Sequence, residues 1–273
     1  MTQARAYFDY NATAPLRSEA RAAVEAALGV LGNPSSVHRE GRRARGLVED
    51  ARERVAALAG CRPSEVVFTS GATEANNWVM RAGWEAIVLS GLEHDSVLGP
   101  ARACGANVLG VAASADGVVD AGGLADIVLR HPAATGRVLA TVQMANNETG
   151  VVQPVAAAAR FCRAHGVAFH TDAVQAAGRV PIDFGALGAD SMALSSHKLG
   201  GPMGVGALIV RDGFEFAALM VGGGQERRQR AGTENVPGIA GFGAVAEVAA
   251  AELDAVDRIA ALRDVLEDGV RTL

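Results

Sequence analysis

Short apolar runs alternate along this chain with segments of 3.6-residue periodicity. The runs "EVVFTS" (65–70), "AIVLS" (86–90), "NVLGV" (107–111), "RVLATVQ" (137–143), "VAFHTD" (167–172), "DSMALS" (190–195) and "VGALIV" (205–210) predict seven strands. Between most of them lie helical patterns such as "EARAAVEAAL" (19–28), "GLVEDARERVAALA" (46–59) and "PVAAAARFCRAHG" (154–166). Strands that are apolar throughout and separated by helices predict an α/β fold, with a mainly parallel sheet covered by helices on both faces.

Polar clusters follow the strands: "SGATE", "EHDS", "ANNETG", "TDAVQ" and "SSHK". Ligands of open α/β sheets sit outside the carboxyl ends of the strands, so these five clusters predict one cleft. The last stretch has an apolar period (Val245, Val248, Leu253, Val256, Ile259, Leu266, Val270) that runs to the final residue and predicts one long amphipathic helix. The expected division is a large domain over 1–243, including an N-terminal segment 1–20, and a helix over 244–273 leading to a small domain that is largely missing. An exposed apolar stripe of that size favours self-association.

Composition narrows the function. The chain has 273 residues, a net charge of −5 and no basic surface for nucleic acid. The arginine-rich stretches 39–45 and 225–230 read as solvated loop or helix faces. Cys61, Cys104 and Cys162 lie far apart without metal-ligand spacing, which fits a reducing cytoplasm. The N-terminus lacks the apolar segment of a signal peptide, and no apolar run reaches the length of a membrane span. Of 25 Lys and Arg positions, Lys198 alone is lysine. Guanidinium stays protonated, whereas an ε-amine can lose its proton and attack a carbonyl to form a Schiff base.

The usual biological aldehyde for such a lysine is pyridoxal 5′-phosphate (PLP), which also needs an acid for its pyridinium nitrogen, a phosphate cup and a residue to hold the ring. Asp172 ends a strand and suits the acid, although a helix or turn cap is an equal reading. Gly71, Ala72 and Thr73 open a helix after a strand, the natural seat of a phosphate and also a plain cap. Ser195 and His197 are placed to complete the cup. His94 is placed to stack on the ring, against the reading of a structural histidine.

The set "FDYNATAP" (8–15), "GNPSSVHREGRRAR", "VVFTSGATEANN", "EHDSV", "ANNETGVVQP", "HTDAVQAAGRVPIDF", "SSHKLGGPMGVGALIV" and "GGGQERRQRAGTENVPGIAGFG" (222–243) resembles the cysteine desulfurases of iron–sulfur cluster assembly and nitrogen fixation. These are class V aminotransferase relatives with the fold type I large domain of PLP enzymes. The resemblance implies a Schiff base on Lys198, Asp172 on the pyridinium nitrogen, His94 on the ring and Gln175 on the ring hydroxyl. Asn147 would lie by the cofactor and the substrate carboxylate, and Ala72, Thr73, Ser195 and His197 would hold the phosphate. Thr233 is similar to a residue given to the neighbouring subunit's phosphate site, which implies a homodimer with shared sites.

It further implies conversion of L-cysteine to L-alanine, with persulfide sulfur passed to iron–sulfur scaffolds or other acceptor proteins. The nucleophilic cysteine of the family belongs to a C-terminal loop that this sequence does not contain. Cys61, Cys104 and Cys162 read as small structural residues at or within helices. Two alternatives stay open: another class V enzyme, such as a selenocysteine lyase or an aminotransferase, and a remnant that binds PLP or dimerises without chemistry.

Overall fold

The computed structural model describes residues 6–131 and 137–272. Residues 1–5 of the expected N-terminal segment, and Leu273 of the expected last helix, lie outside the described residues. All seven predicted strands form: β1 (Val66–Thr69), β2 (Ala86–Ser90), β3 (Asn107–Val111), β4 (Val138–Thr141), β5 (Ala168–Asp172), β6 (Ser191–Ser195) and β7 (Gly206–Val210). They make one sheet in the order β1-β7-β6-β5-β4-β2-β3. β7 runs antiparallel to both of its neighbours, and the other pairs are parallel.

The helices are α1 (Ser18–Leu28), α2 (Arg39–Ala59), α3 (Ala72–Met80), α4 (Asp95–Ala103), α5 (Ala121–Arg130), α6 (Val155–Ala164), α7 (Phe184–Leu187), α8 (Val236–Ala251) and α9 (Val256–Arg271). Alternate side chains of each strand feed two separate cores. Val66 and Phe68 of β1 join a cluster containing α2, α6 and α8, while Val67 joins one containing α3 and α4. Ala86 and Val88 of β2 divide from Ile87 and Leu89 in the same way. That period of two explains why the strands read as continuous apolar runs.

The C-terminal run differs from its prediction. The helical pattern is two helices, with a 3-10 turn over Leu253–Ala255 between them. α8 is buried around most of its girth because it packs on both α1 and α2, so it carries no amphipathic stripe. Gly243 permits the closest part of this contact, since a Cβ there would sit 2.5 Å from Ala51 Cα. α9 has no buried residue, and Ile259, Leu262, Leu266 and Val270 are exposed. No helix among the described residues is long and apolar enough to cross a membrane.

Candidate active site

Because β7 runs against the others, its amino end meets the carboxyl ends of β1 and β6, with Gly206 paired to both Thr69 and Ser195. A Cβ on Gly206 would approach Gly71 Cα to 2.7 Å, so glycine here lets the start of α3 settle against the sheet. The result is a cleft of about 620 Å³. Ala72, Thr73, His94, Asn147, Asp172, Gln175, Ser195, His197 and Lys198 all line it, so nine expected site residues from five strand ends converge. Thr233 does not: it is exposed in the loop before α8 and is absent from the lining.

Lys198 ends a 3-10 turn (Ser196–Lys198) directly after β6. Its Nζ donates to the carbonyl oxygen of Asn11 and, at 3.0 Å, to that of Ala12. Partial burial and then the Arg179 guanidinium hold its pKa below the ordinary lysine value, against the pull of Asp172 and Asp9. The amine is therefore released more readily than a surface lysine's. The N-terminal strap that supplies these carbonyls docks by backbone bonds, Ala14 N to His197 O at 3.0 Å and Arg17 N to Gly200 O at 2.8 Å. Gln175 Nε2 also donates to Asn11 O at 2.9 Å, and its Oε1 accepts from Arg179.

Asp172 ends β5 with 7% of its surface exposed. Oδ1 accepts from Val174 N at 3.0 Å and Oδ2 from Asn76 Nδ2 at 2.7 Å. Burial nevertheless raises its pKa, outweighing these donors and the nearby His94 and Lys198. The two readings of Asp172 are compatible: Oδ1 caps the turn, and the residue also stands on the lining of the cleft. His94 likewise caps α4, its Nδ1 accepting from Ser96 N at 3.0 Å, and it lines the cleft. At the other end of the cleft, the first-turn N–H groups of α3 have no intrahelical acceptors and face the opening between Gly71 and Thr73.

The chain matches the aminotransferase class-V family model over residues 6–272. It is 38% identical to the cysteine desulfurase IscS of Dictyoglomus turgidum over 270 residues, 94% of this chain and 67% of that relative. The chain belongs to the class-V aminotransferase family, among the cysteine desulfurases. The X-ray structure of a NifS-like protein from Rickettsia africae superposes with a TM-score of 0.91 at 33% identity, covering 98% of this chain and 75% of that one. A further structure, SspA in complex with cysteine, superposes with a TM-score of 0.82 at 33% identity, covering 89% of this chain and 72% of that one. Enzymes of this desulfurase family depend on PLP, act on cysteine and transfer sulfur.

The cleft of this class-V aminotransferase relative fits PLP. A buried carboxylate, an amine of lowered pKa and a helix N-terminus stand at three of its sides. In addition, Gln143 Nε2, on the lining, is buried without a partner, a donor available to a ligand.

Several parts of this site were not legible as motifs. Asn76, His170 and Ser191 form a buried polar layer beneath Asp172. The one available signal was His170 itself, two residues before Asp172 and hence on the same face of a strand. Stretch 225–230, expected to be solvated, is so only in part: Arg227 and Arg228 are exposed, but the stretch also forms a clamp. Glu226 is buried and pairs with Arg52, and Arg230 pairs with Glu74 on the cleft wall. Residues 39–45 do form a solvated face, with Arg39, Arg42, Arg43 and Arg45 exposed. None of the three cysteines lines the cleft. Cys104 caps the end of α4 rather than lying within it, and burial pushes the Cys61 and Cys162 thiols up to about 12.

Glu93, beside His94, is a second buried acid. Its Oε1 accepts from Gln143 N, its Oε2 has no partner, and burial, with the Asp172 charge adding, pushes its pKa up to about 8. Below the ordinary value of 4.5 the acid is protonated in both folded and unfolded chains. Between 4.5 and about 8 the unfolded chain releases a proton that the folded one retains, so stability falls as pH rises through this window. Glu93→Gln removes that slope. In urea titrations of the cofactor-free protein, the variant is expected to gain about 2 kcal/mol or more over the parent between pH 5 and pH 8. Parallel pH profiles for the two proteins would disprove a neutral Glu93.

Proposed function

We propose that the protein is a PLP-dependent cysteine desulfurase that converts L-cysteine to L-alanine and hands on the sulfur for iron–sulfur cluster assembly. The observation that carries this reading is the convergence of Lys198, Asp172 and His94 on one cleft with the N-terminus of α3. Lys198 would hold the cofactor as a Schiff base, Asp172 its ring nitrogen, Gln175 its ring hydroxyl, and Ala72, Thr73, Ser195 and His197 its phosphate. Asn147 would stand by the substrate carboxylate. When bound, PLP supplies an electron sink for the pair left when a bond to the substrate α-carbon breaks.

The chain's own residues then have definite tasks. Lys198 would carry protons to and from the substrate through its amine. His94 orients the ring and offers its imidazole to the substrate side. Asp172 keeps the pyridine nitrogen protonated through the negative charge it brings to a low-dielectric floor. The sulfur leaves to a thiol. Cys61 and Cys162 are ill suited to that role because their thiols stay protonated at neutral pH, and Cys104 sits at the end of α4. The acceptor thiol therefore comes from a segment or protein other than these three.

A homodimer fits the position of Thr233, which would reach the phosphate of the partner's site from its exposed loop. Scaffold proteins or other sulfur acceptors are the expected partners, and the cytoplasm the expected compartment.

The test is to load the purified chain with PLP, add L-cysteine with dithiothreitol as thiol acceptor, and assay alanine and sulfide together. Equimolar alanine and sulfide in excess over enzyme are expected. A visible cofactor band without either product would replace this reading with that of a cofactor-binding remnant, and alanine formed from selenocysteine alone would replace it with a lyase.

A further inference from the structure

The two residues assigned to the cofactor ring, Asp172 and His94, come from different elements, the end of β5 and the start of α4. One fully buried amide joins them. Asn76 Nδ2 donates to Asp172 Oδ2 at 2.7 Å and to Ser96 Oγ at 2.9 Å, and Ser96 Oγ lies 2.8 Å from His94 Nδ1.

The directions of these bonds follow from donor and acceptor chemistry. A carboxylate only accepts, so the NH₂ end of Asn76 must face Asp172, and Oδ1 is turned to His170 Nε2 at 2.9 Å. His170 must then carry its proton on Nε2, which leaves Nδ1 to accept from Ser191 Oγ at 2.8 Å. Burial pushes the pKa of His170 down to about 3, so one proton is all it holds at neutral pH. Ser96 Oγ receives the second amide hydrogen and gives its own to His94 Nδ1, which also accepts from Ser96 N. The neutral form of His94 is thereby fixed with its hydrogen on Nε2.

We propose that Asn76, locked in orientation by His170 and Ser191, is a positioning residue for the cofactor. It aims the Asp172 carboxylate at the ring nitrogen and, through Ser96 Oγ, braces the His94 imidazole, whose tautomer the Ser96 backbone N–H already sets. This rests on the assignment of the cleft to PLP. Loss of the amide leaves Asp172 Oδ2 free to turn, so the effect falls on ligands that carry a ring nitrogen.

The experiment compares equilibrium binding of PLP with that of its 1-deaza analogue, in which carbon replaces the ring nitrogen. The full chain is used, stripped of cofactor, with thermal melting as a check on folding. Wild type is expected to prefer PLP. In Asn76→Ala, PLP binding weakens about tenfold while binding of the analogue stays within about twofold of wild type. His170→Gln retains an N–H for Asn76 Oδ1 and keeps the wild-type preference, whereas His170→Leu loses it.

Equal losses for both ligands in Asn76→Ala would mean a merely structural role and overturn the proposal. So would a preference that survives in His170→Leu, and that pair decides alone if Asn76→Ala does not fold. A wild-type chain that binds neither ligand would overturn the cofactor assignment itself, and the proposal with it.

Discussion

Lys198→Arg is expected to leave a folded protein whose alanine production from L-cysteine is lower by at least about 10³-fold. The reason is chemical rather than electrostatic. Arginine keeps the positive charge and still offers donors to the Asn11 and Ala12 carbonyls that hold Lys198. What it lacks is a nitrogen that can lose its proton and attack an aldehyde. In the native protein that loss is eased, since burial and Arg179 both lower the pKa of Lys198. The visible band of the cofactor–lysine adduct should vanish in the variant while the melting temperature of the cofactor-free protein stays close to wild type. Alanine production retained within tenfold would show that Lys198 is not the group that moves the substrate's protons.

The largest expected effect on stability lies away from the cleft. Arg52 of α2 meets Glu226 in a bidentate pair at 2.9 Å on both arms, with side-chain exposures of 5% and 2%. Arg52 Nη1 also donates to Val66 O at 2.8 Å, and Glu226 Oε2 also accepts from Phe68 N at 2.8 Å. The guanidinium lies 4.8 Å from the centre of the Phe68 ring. Glu226, Arg227 and Arg228 all have positive φ (44°, 55° and 68°), a conformation unfavourable to side chains, and these contacts hold Glu226 in it.

Glu226→Gln leaves the buried guanidinium only the half-exposed Glu49, 3.2 Å from Nε, as counter-charge and should cost about 3 kcal/mol. That is a large fraction of the 5–15 kcal/mol by which a domain is usually stable. The measurement is the urea midpoint, with the slope unchanged. The double variant Arg52→Met/Glu226→Gln should recover part of the loss, because no charge is then stranded. A midpoint unmoved in Glu226→Gln would show that the pair contributes no net stability. The same loop carries Arg230 to Glu74 on the cleft wall, so Glu226→Gln should also weaken PLP binding.

The strands and the helices that bury a single stripe are legible from their repeating local signal. The strand runs were legible because each strand is buried on both faces, and α1, α2 and α6 because each buries one stripe. The cleft residues were legible because they follow strands, and in a mainly parallel sheet strand ends gather on one side. The misreadings have a common origin. The periodic run 244–273 continues through Leu253–Ala255, where the chain makes a 3-10 turn, since hydrophobic spacing records which face is apolar and not where the backbone bends. Stretch 225–230 looked solvated because its charge is obvious locally, whereas the Arg52 that neutralises Glu226 is 174 positions away.

By itself, then, the sequence determined the α/β class, the seven strands, the unique amine at Lys198 and the set of polar groups at the strand ends. Each of these follows from local periodicity or from the chemistry of one residue type. Only the tertiary structure decided which buried charges have partners, which way the Asn76 amide faces between Asp172 and His170, and that α8 is enclosed while α9 stands bare. Those outcomes depend on groups that are distant in the chain and adjacent in space. Inside a protein a donor or charge is favourable only if its particular partner is within about 3 Å.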